Sequence, residues 1–256
     1  MNYTVFINDE SQKALFLKKK LSQILSDWNY VDNVDLTDYI FVIGGDGTFL
    51  KHFNDFKNKK IVAINAGNLG YYSFFNKSNL NTLKSKIANP RNFNHVLVLK
   101  ICLDDKEYRC LNEVIIRCDR TFESSVYVKN VFLEKFKGSG ILICTPMGST
   151  AHNKNAHGAI MYNGLNAIQI LELEPITQKR YMTLKSPLIV PSDFNVNLKS
   201  NAELENTKII IDGKPIKINF KGNLKVSVIN SDFQLFNPYD PKIYIKKLRD
   251  SFIREK

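Results

Sequence analysis

The amino-acid sequence predicts an α/β N-terminal domain followed by a β-rich C-terminal domain, on three observations. Short runs around residues 40–43 and 61–65 are apolar throughout and end in glycine turns, as strands of a parallel sheet covered on both faces do. A stretch of helical periodicity precedes the first of them. From residue 95 onward, closely spaced β-type runs replace this alternation. A chain of 256 residues suits two small domains.

Residues 4–8 form a β-branched and aromatic run, and Ser11 then opens a helix with Ala14, Leu17, Leu21, Leu25 and Trp28 at helical spacing. The strand at 39–43 runs into Gly44-Gly45-Asp46-Gly47-Thr48, after which Phe49, Leu50 and Phe53 indicate a short helix. The strand at 61–65 runs into Ala66-Gly67-Asn68-Leu69-Gly70. A further helix, expected to be capped by Ser78, carries Leu80, Leu83 and Ile87 and stops at Asn89-Pro90. β-type runs follow at 95–103, 114–118, 126–132, 141–145, 167–171, 188–190, 196–198, 208–211, 216–220 and 224–229. Beyond Pro238 and Pro241 the tail carries Ile243, Ile245, Leu248, Phe252 and Ile253 in a helical pattern and is expected to pack on the first domain. The expected domains are 1–94, completed by 237–256, and 95–236.

Composition excludes several classes of protein. With 44% hydrophobic and 24% charged residues, the chain has enough apolar mass for a core and does not read as disordered. Its longest apolar runs, at 40–43 and 141–144, fall far short of the ~20 residues a membrane-spanning helix needs. The N-terminus lacks the basic, apolar and small-residue succession of an export signal, so a cytoplasmic location is expected and no membrane partner. Cys102, Cys110, Cys118 and Cys144 lack C-x-x-C spacing and read as buried free thiols, not as zinc ligands or disulfides. The formal charge of +11 would suit a polyanionic partner, but the lysines (residues 18–20, 57–60, 246 and 247) are scattered without interleaved aromatics. They read as a solvated basic face, with no nucleic-acid partner.

The loop at residues 44–48 lies at the carboxyl end of a predicted buried strand, where open α/β sheets bind their ligands. Gly44, Gly45 and Gly47 leave backbone N–H groups free of Cβ obstruction, and with Thr48 they form a candidate phosphate-donor loop. Asp46 in its middle would repel phosphates unless a metal intervenes or the carboxylate acts on a different group, and so points to chemistry; a tight turn in which Asp46 caps the next helix explains the same residues. The loop lacks the Gly-Lys-Ser/Thr ending of a Walker motif.

Four segments in order carry a family resemblance: residues 44–50, residues 65–71 (Asn-Ala-Gly-Asn-Leu-Gly-Tyr), Leu111-Asn112-Glu113-Val114, and Gly138-Ser139-Gly140 leading into Thr145-Pro146-Met147-Gly148-Ser149-Thr150-Ala151-His152. Together they resemble the NAD kinases over residues 39–212. The first segment alone also occurs in lipid kinases related to diacylglycerol kinase. The resemblance implies a Rossmann-like first domain and a β-sandwich-type second domain, the NAD kinase and diacylglycerol kinase-like architecture. It implies transfer of the γ-phosphoryl of ATP, or phosphoryl from polyphosphate, to the 2′-hydroxyl of the adenosine ribose of NAD, with Mg²⁺ on the donor phosphates. Asp46 would be the general base, active even from a reference pKa of ~3.9 because the proton leaves as the bond to phosphorus forms. Asn112 and Glu113 would clamp the acceptor nucleotide, an amide beside an acceptor-only carboxylate. Asn68, Ser139, Thr150, Ala151, His152, Asn155 and Asp212 would line the NAD site, and no residue is assigned to a metal. Asp212-Gly213 also reads as a two-residue hairpin turn. A homodimer or homotetramer is expected on the same ground.

Two positions depart from the family pattern. Ser139 stands where the family has Asp, and His152 where it commonly has Tyr, so contact with the nicotinamide half and the choice of NAD or NADH are open. Those departures motivate a second reading, a catalytically weak NAD-binding regulator. A lipid kinase using the same glycine loop is a third. His152 and His157, five residues apart, do not share a helical face and read as packing or solvated residues.

Overall fold

Alternating strands and helices build the first part of the chain: β1 (Asn2–Ile7), α1 (Gln12–Ile24), β2 (Asn29–Tyr30), β3 (Tyr39–Gly44), α2 (Asp46–His52), β4 (Lys60–Asn65), β5 (Phe75–Asn76), α3 (Leu83–Ile87) and β6 (Phe93–Asn94). The computed structural model describes residues 1–256 except 68–69, 104, 201–206, 217–221 and 254–256, and it divides the chain into two units, Met1–Val96 with Ser231–Lys256, and Leu97–Asn230.

Every residue of β3 is buried, in keeping with its unbroken apolar sequence, and its neighbours β1 and β4 pair with it in parallel. Ser11 caps α1 by accepting from the Ala14 amide at 3.3 Å, and Ala14, Leu17 and Leu21 bury the inner face of the helix. Trp28 lies beyond the helix and packs on the rings of Tyr3, Tyr39 and Phe41. The expected cap at Ser78 is not formed: its hydroxyl turns back to Asn76, and the segment begins as a 3₁₀ turn at Leu80–Thr82 preceded by Asn79. An Asx turn at Asn76 competes for the hydroxyl there.

The second unit consists of β7 (Leu97–Leu103), β8 (Lys106–Cys110), β9 (Glu113–Val128), β10 (Val131–Cys144), the single turn α4 (His152–Asn155), β11 (Ala167–Leu173), β12 (Leu188–Pro191), β13 (Val196–Lys199), β14 (Thr207–Ile211), β15 (Lys214–Ile216) and β16 (Asn223–Asn230). All its strand pairs are antiparallel, in the order β12-β11-β10-β9-β13-β16-β7-β8, with the β14–β15 hairpin on β9. One half of β9 pairs with β14 and the other with β13, and residues such as Ile116, Phe136, Ile143, Val196 and Val226 fill the core beneath. The run expected at 216–220 is β15 up to Ile216; its remainder lies outside the described residues. A bulge separates Gly138 from Gly140 in the β9–β10 ladder.

The chain then returns to the first unit through β17 (Gln234–Phe236), parallel to β4, and α5 (Pro241–Phe252), capped by Asp240. The sheet order there is β2-β1-β3-β4-β17-β6, with β5 also on β4.

Candidate active site

In the first unit the glycine loop ends β3, and α2 begins at Asp46 itself, three residues earlier than expected. Gly45, not Asp46, occupies the cap position, and the helix has no side-chain cap. The Asp46 carboxylate reaches across instead to the loop after β4, accepting the Tyr71 amide at 3.0 Å on Oδ2 and the Tyr72 amide at 3.3 Å on Oδ1. Burial raises its pKa, while the two amides and the nearby Lys247 ammonium act in the opposite direction.

Each glycine of the loop has a separate reason. A Cβ on Gly44 would meet the Thr48 hydroxyl at 2.3 Å, whereas Gly45 and Gly47 face open space. That space is a cavity of about 580 Å³ lined by Asn8, Asp9, Glu10, Gly45, Gly47, Thr48 and Lys51 among others. A second cavity, of about 540 Å³, adjoins Asn65, Ala66 and Gly67 at the end of β4, beside Lys13, Phe16 and Lys77. Both open at the carboxyl ends of the parallel strands. Asn68 lies outside the described residues.

In the second unit, Asn112 and Glu113 sit at the start of β9, both buried. Asp212 holds them in place: its carboxylate accepts the Leu111 amide at 2.9 Å, the Asn112 amide at 2.7 Å and the Cys110 thiol at 3.1 Å, while its own amide donates to the Glu113 carbonyl at 3.1 Å. It does so from a turn with positive φ at Asp212 and Gly213, which joins β14 to β15. The Thr145 amide and hydroxyl bond to the Asn112 carbonyl at 2.9 and 3.4 Å, and a Cβ on Gly148 would lie 2.1 Å from that same oxygen. Residues 145–148 therefore lie flat against the Asn112 backbone.

Glu113 Oε2 is buried without a hydrogen-bond partner among the described residues. Burial first, and the Asp212 charge second, push its pKa up to about 8, against a hydrogen bond from the His152 amide. A pKa near 8 favours the protonated carboxyl at neutral pH in the ligand-free protein, a form that can donate as well as accept.

Thr150 is buried, with its hydroxyl on the Met147 carbonyl at 3.3 Å; Ala151 is half-buried, and His152 and Asn155 are exposed. The network that seats this segment is absent from the expected residues: Asn153 bonds the Ser149 and Ala159 carbonyls, each at 3.1 Å, and Gln169 bonds Asn153 and the Ala159 amide. Buried amides in a polar sequence stretch carry no periodic signal that would have marked them. Ser139 is not part of this cluster. It sits in the bulge, bonded to Glu174, five residues along β10 from the Cys144–Glu113 pair, or roughly 16 Å of strand.

Lys247, read from sequence as one of a solvated pair, is largely withdrawn from water: it donates to the Tyr71 carbonyl at 2.8 Å and the Ser73 carbonyl at 2.6 Å. Among the described residues, Cys110, Cys118 and Cys144 are buried free thiols and Cys102 is half-buried. No three His, Cys, Asp or Glu side chains among them are grouped to hold a metal ion, and both oxygens of Asp46 accept backbone amides. No helix among the described residues is long and apolar enough to cross a membrane.

A parallel-stranded unit with a glycine-loop carboxylate, followed in the chain by an antiparallel unit with a clamped Asn-Glu pair, defines a class of two-unit nucleotide-binding protein. Residues 6–92 match the family profile described as ATP-NAD kinase N-terminal domain, and residues 111–237 that described as ATP-NAD kinase C-terminal domain. The chain is 32% identical to the NAD kinase of Mycoplasmoides gallisepticum over 99% of its own length and 95% of that protein, and 31% identical to the NAD kinase of Ureaplasma parvum over 93% and 89%. Its fold is similar to that of yeast NADH kinase complexed with NADH (TM-score 0.80, 16% identity, 100% of this chain and 89% of that one). It is equally similar to an NAD kinase from Archaeoglobus fulgidus in complex with ATP (TM-score 0.79, 17% identity, 98% and 99%). The chain belongs to the NAD kinase family.

Proposed function

We propose that this chain transfers the γ-phosphoryl of ATP to the 2′-hydroxyl of the adenosine ribose of NAD, forming NADP, with Asp46 as general base. The hydroxyl oxygen forms the new bond to phosphorus, its proton passes to Asp46, and the bond from γ-phosphorus to the bridging oxygen breaks to release ADP. The observation that carries this reading is the Asp46 carboxylate itself. It is not used as a helix cap, it is fixed by two backbone amides, and it stands on a loop whose Gly45 and Gly47 border an open cavity, in a chain of this family.

Gly44, Gly45, Gly47 and Thr48 receive the donor phosphates. Asn112 and Glu113 bind the acceptor's hydroxyls, with Asp212 setting their presentation through the amides it holds. Thr150, Ala151, His152 and Asn155 complete the acceptor contacts, and Asn68 and Ser139 are assigned to NAD on the resemblance alone. Mg²⁺ enters with the ATP phosphates, where it offsets their charge; no step is assigned to a protein-held metal. The Rossmann-like description of the first unit is supported by its parallel β1, β3 and β4, and the sandwich-type description of the second by its antiparallel strands. The family matches do not favour a lipid kinase or a weak regulator. A cytoplasmic location and self-association complete the reading, the latter supported by the apolar side chains of Met182, Leu184 and Ile189 exposed at and before the edge strand β12.

The purified chain, given ATP, Mg²⁺ and NAD, is expected to form NADP, with NADH and polyphosphate run as parallel acceptor and donor. Asp46→Asn is expected to lower kcat by about 10²–10⁴-fold, the usual worth of a general base, with NAD affinity little changed. An Asp46→Asn enzyme at near wild-type kcat would remove the base assignment.

A further inference from the structure

The loop that holds Asp46 is itself held by the C-terminal helix. Three side chains on the last two turns of α5 meet that loop: the Lys247 ammonium on the Tyr71 and Ser73 carbonyls, the Ser251 hydroxyl accepting from the Tyr71 phenol at 2.8 Å, and the Phe252 ring stacked on the Tyr71 ring at 6.2 Å between centroids. The amides of Tyr71 and Tyr72 then donate to the two oxygens of Asp46. Lys247 thus holds carbonyls of the same peptide segment whose amides grip the carboxylate. Ser251 also bonds back to the Lys247 carbonyl at 2.6 Å, tying the two α5 contacts together.

We propose that Lys247 is a positioning residue for the phosphoryl-transfer base, fixing through the Tyr71–Ser73 backbone where the Asp46 carboxylate lies and supplying the positive charge that keeps it ionised. The proposal rests on Asp46 being the base. A polar tether between two carbonyls would serve structure alone if a neutral side chain did it equally well. An ammonium drawn half out of water is a costly choice for that task unless its charge is used. Burial pushes the Lys247 pKa down to about 8, and attraction to Asp46 acts against that fall. The charged group that acts on Asp46 from a packed element is Lys247 on α5; Asp46 in turn helps raise the Tyr71 phenol, and on α5 Arg249 pairs with Asp250. Lys247 is the cation of the set, so its removal shifts Asp46 toward the protonated form.

The test is a pH profile of kcat/KM for NADP formation by wild type, Lys247→Met, Lys247→Arg and Asp46→Asn, with Tm recorded for each. Lys247→Met is expected to lower kcat roughly tenfold to a hundredfold, the scale of a misplaced reacting group, with KM for NAD and ATP held within about threefold. Its acid limb is expected to move to higher pH, because the carboxylate has lost its stabilising charge. Lys247→Arg, which keeps the charge, is expected to return the limb to the wild-type position. A lowered kcat with the limb unmoved, or a limb that Lys247→Arg leaves displaced, would overturn the proposal and leave α5 a structural tether. An active Asp46→Asn enzyme would sink the base assignment and the clamp together, whereas an inactive one beside an unmoved Lys247→Met limb sinks the clamp alone. If Lys247→Met does not fold, the carboxyl carbon resonance of Asp46 in the wild-type, ligand-free protein carries the question. A second inflection as Lys247 titrates near pH 8 supports the coupling, and a single one overturns it.

Discussion

Glu113 shows what burial does to a single side chain. Its pKa of about 8 lies above its ordinary value of 4.5, so the folded chain keeps a proton that the unfolded chain releases between those values. Stability from this group therefore falls as pH rises from about 4.5 through about 8. Glu113→Gln, which has no proton to lose, is expected to match the wild type near pH 5. It should gain up to about 5 kcal/mol at pH 9 in urea denaturation of the ligand-free protein. Equal stability of the two at pH 9 would show that the wild-type carboxyl is not forced to ionise in a dry environment. Burial raises the Asp46 pKa as well, but there two amides and a cation act against it, where Glu113 has one amide and a neighbouring carboxylate.

Among elements, the turn at Met147–Thr150 depends on close backbone approach. Gly148→Ala would place a methyl group 2.1 Å from the Asn112 carbonyl oxygen, a backbone atom that Thr145 and the start of β9 hold in place. The expected cost is about 1–3 kcal/mol of stability, with a raised KM for NAD and little change in KM for ATP, measured by denaturation and steady-state kinetics. The element scale is also where sequence patterning reached its limits. The run expected at 114–118 lies in β9, and that expected at 126–132 is split between the end of β9 and the start of β10; β9 continues through Asp119 and Arg120, which lie where the β9–β10 register shifts, and Glu123, which pairs with Lys137. Ser78 had the right chemistry for a cap and the wrong geometry, since Asn76 engages its hydroxyl first.

For the whole molecule, the exposed Met182, Leu184 and Ile189, 76%, 48% and 45% accessible, form an apolar stretch at and before an edge strand that water alone would cover poorly. A sedimentation mass of two or four chains is expected, and Met182→Glu with Ile189→Lys is expected to lower it. A wild-type chain sedimenting as a monomer at micromolar concentration would remove the oligomer from the reading.

Much of the candidate site was legible before any coordinate. The glycine loop with Asp46, the Asn112-Glu113 pair and the segment 145–152 are contiguous residue strings, and contiguous strings are what a sequence displays. The α/β character of the first part and the β-rich texture of the second followed from local periodicity, because strands buried on both faces must be apolar at every position. What the sequence by itself could not supply was every relation across long separations. The grip of Tyr71 and Tyr72 on Asp46, the hold of Asp212 on residues 110–112 a hundred positions away, and the reach of Lys247 to Ser73 across 174 positions exist only once the chain has folded. Lys247 was indistinguishable from its neighbour Lys246 as letters. The partial withdrawal of one and the exposure of the other is a property of the tertiary environment, since desolvation depends on which surfaces meet and not on which residues adjoin.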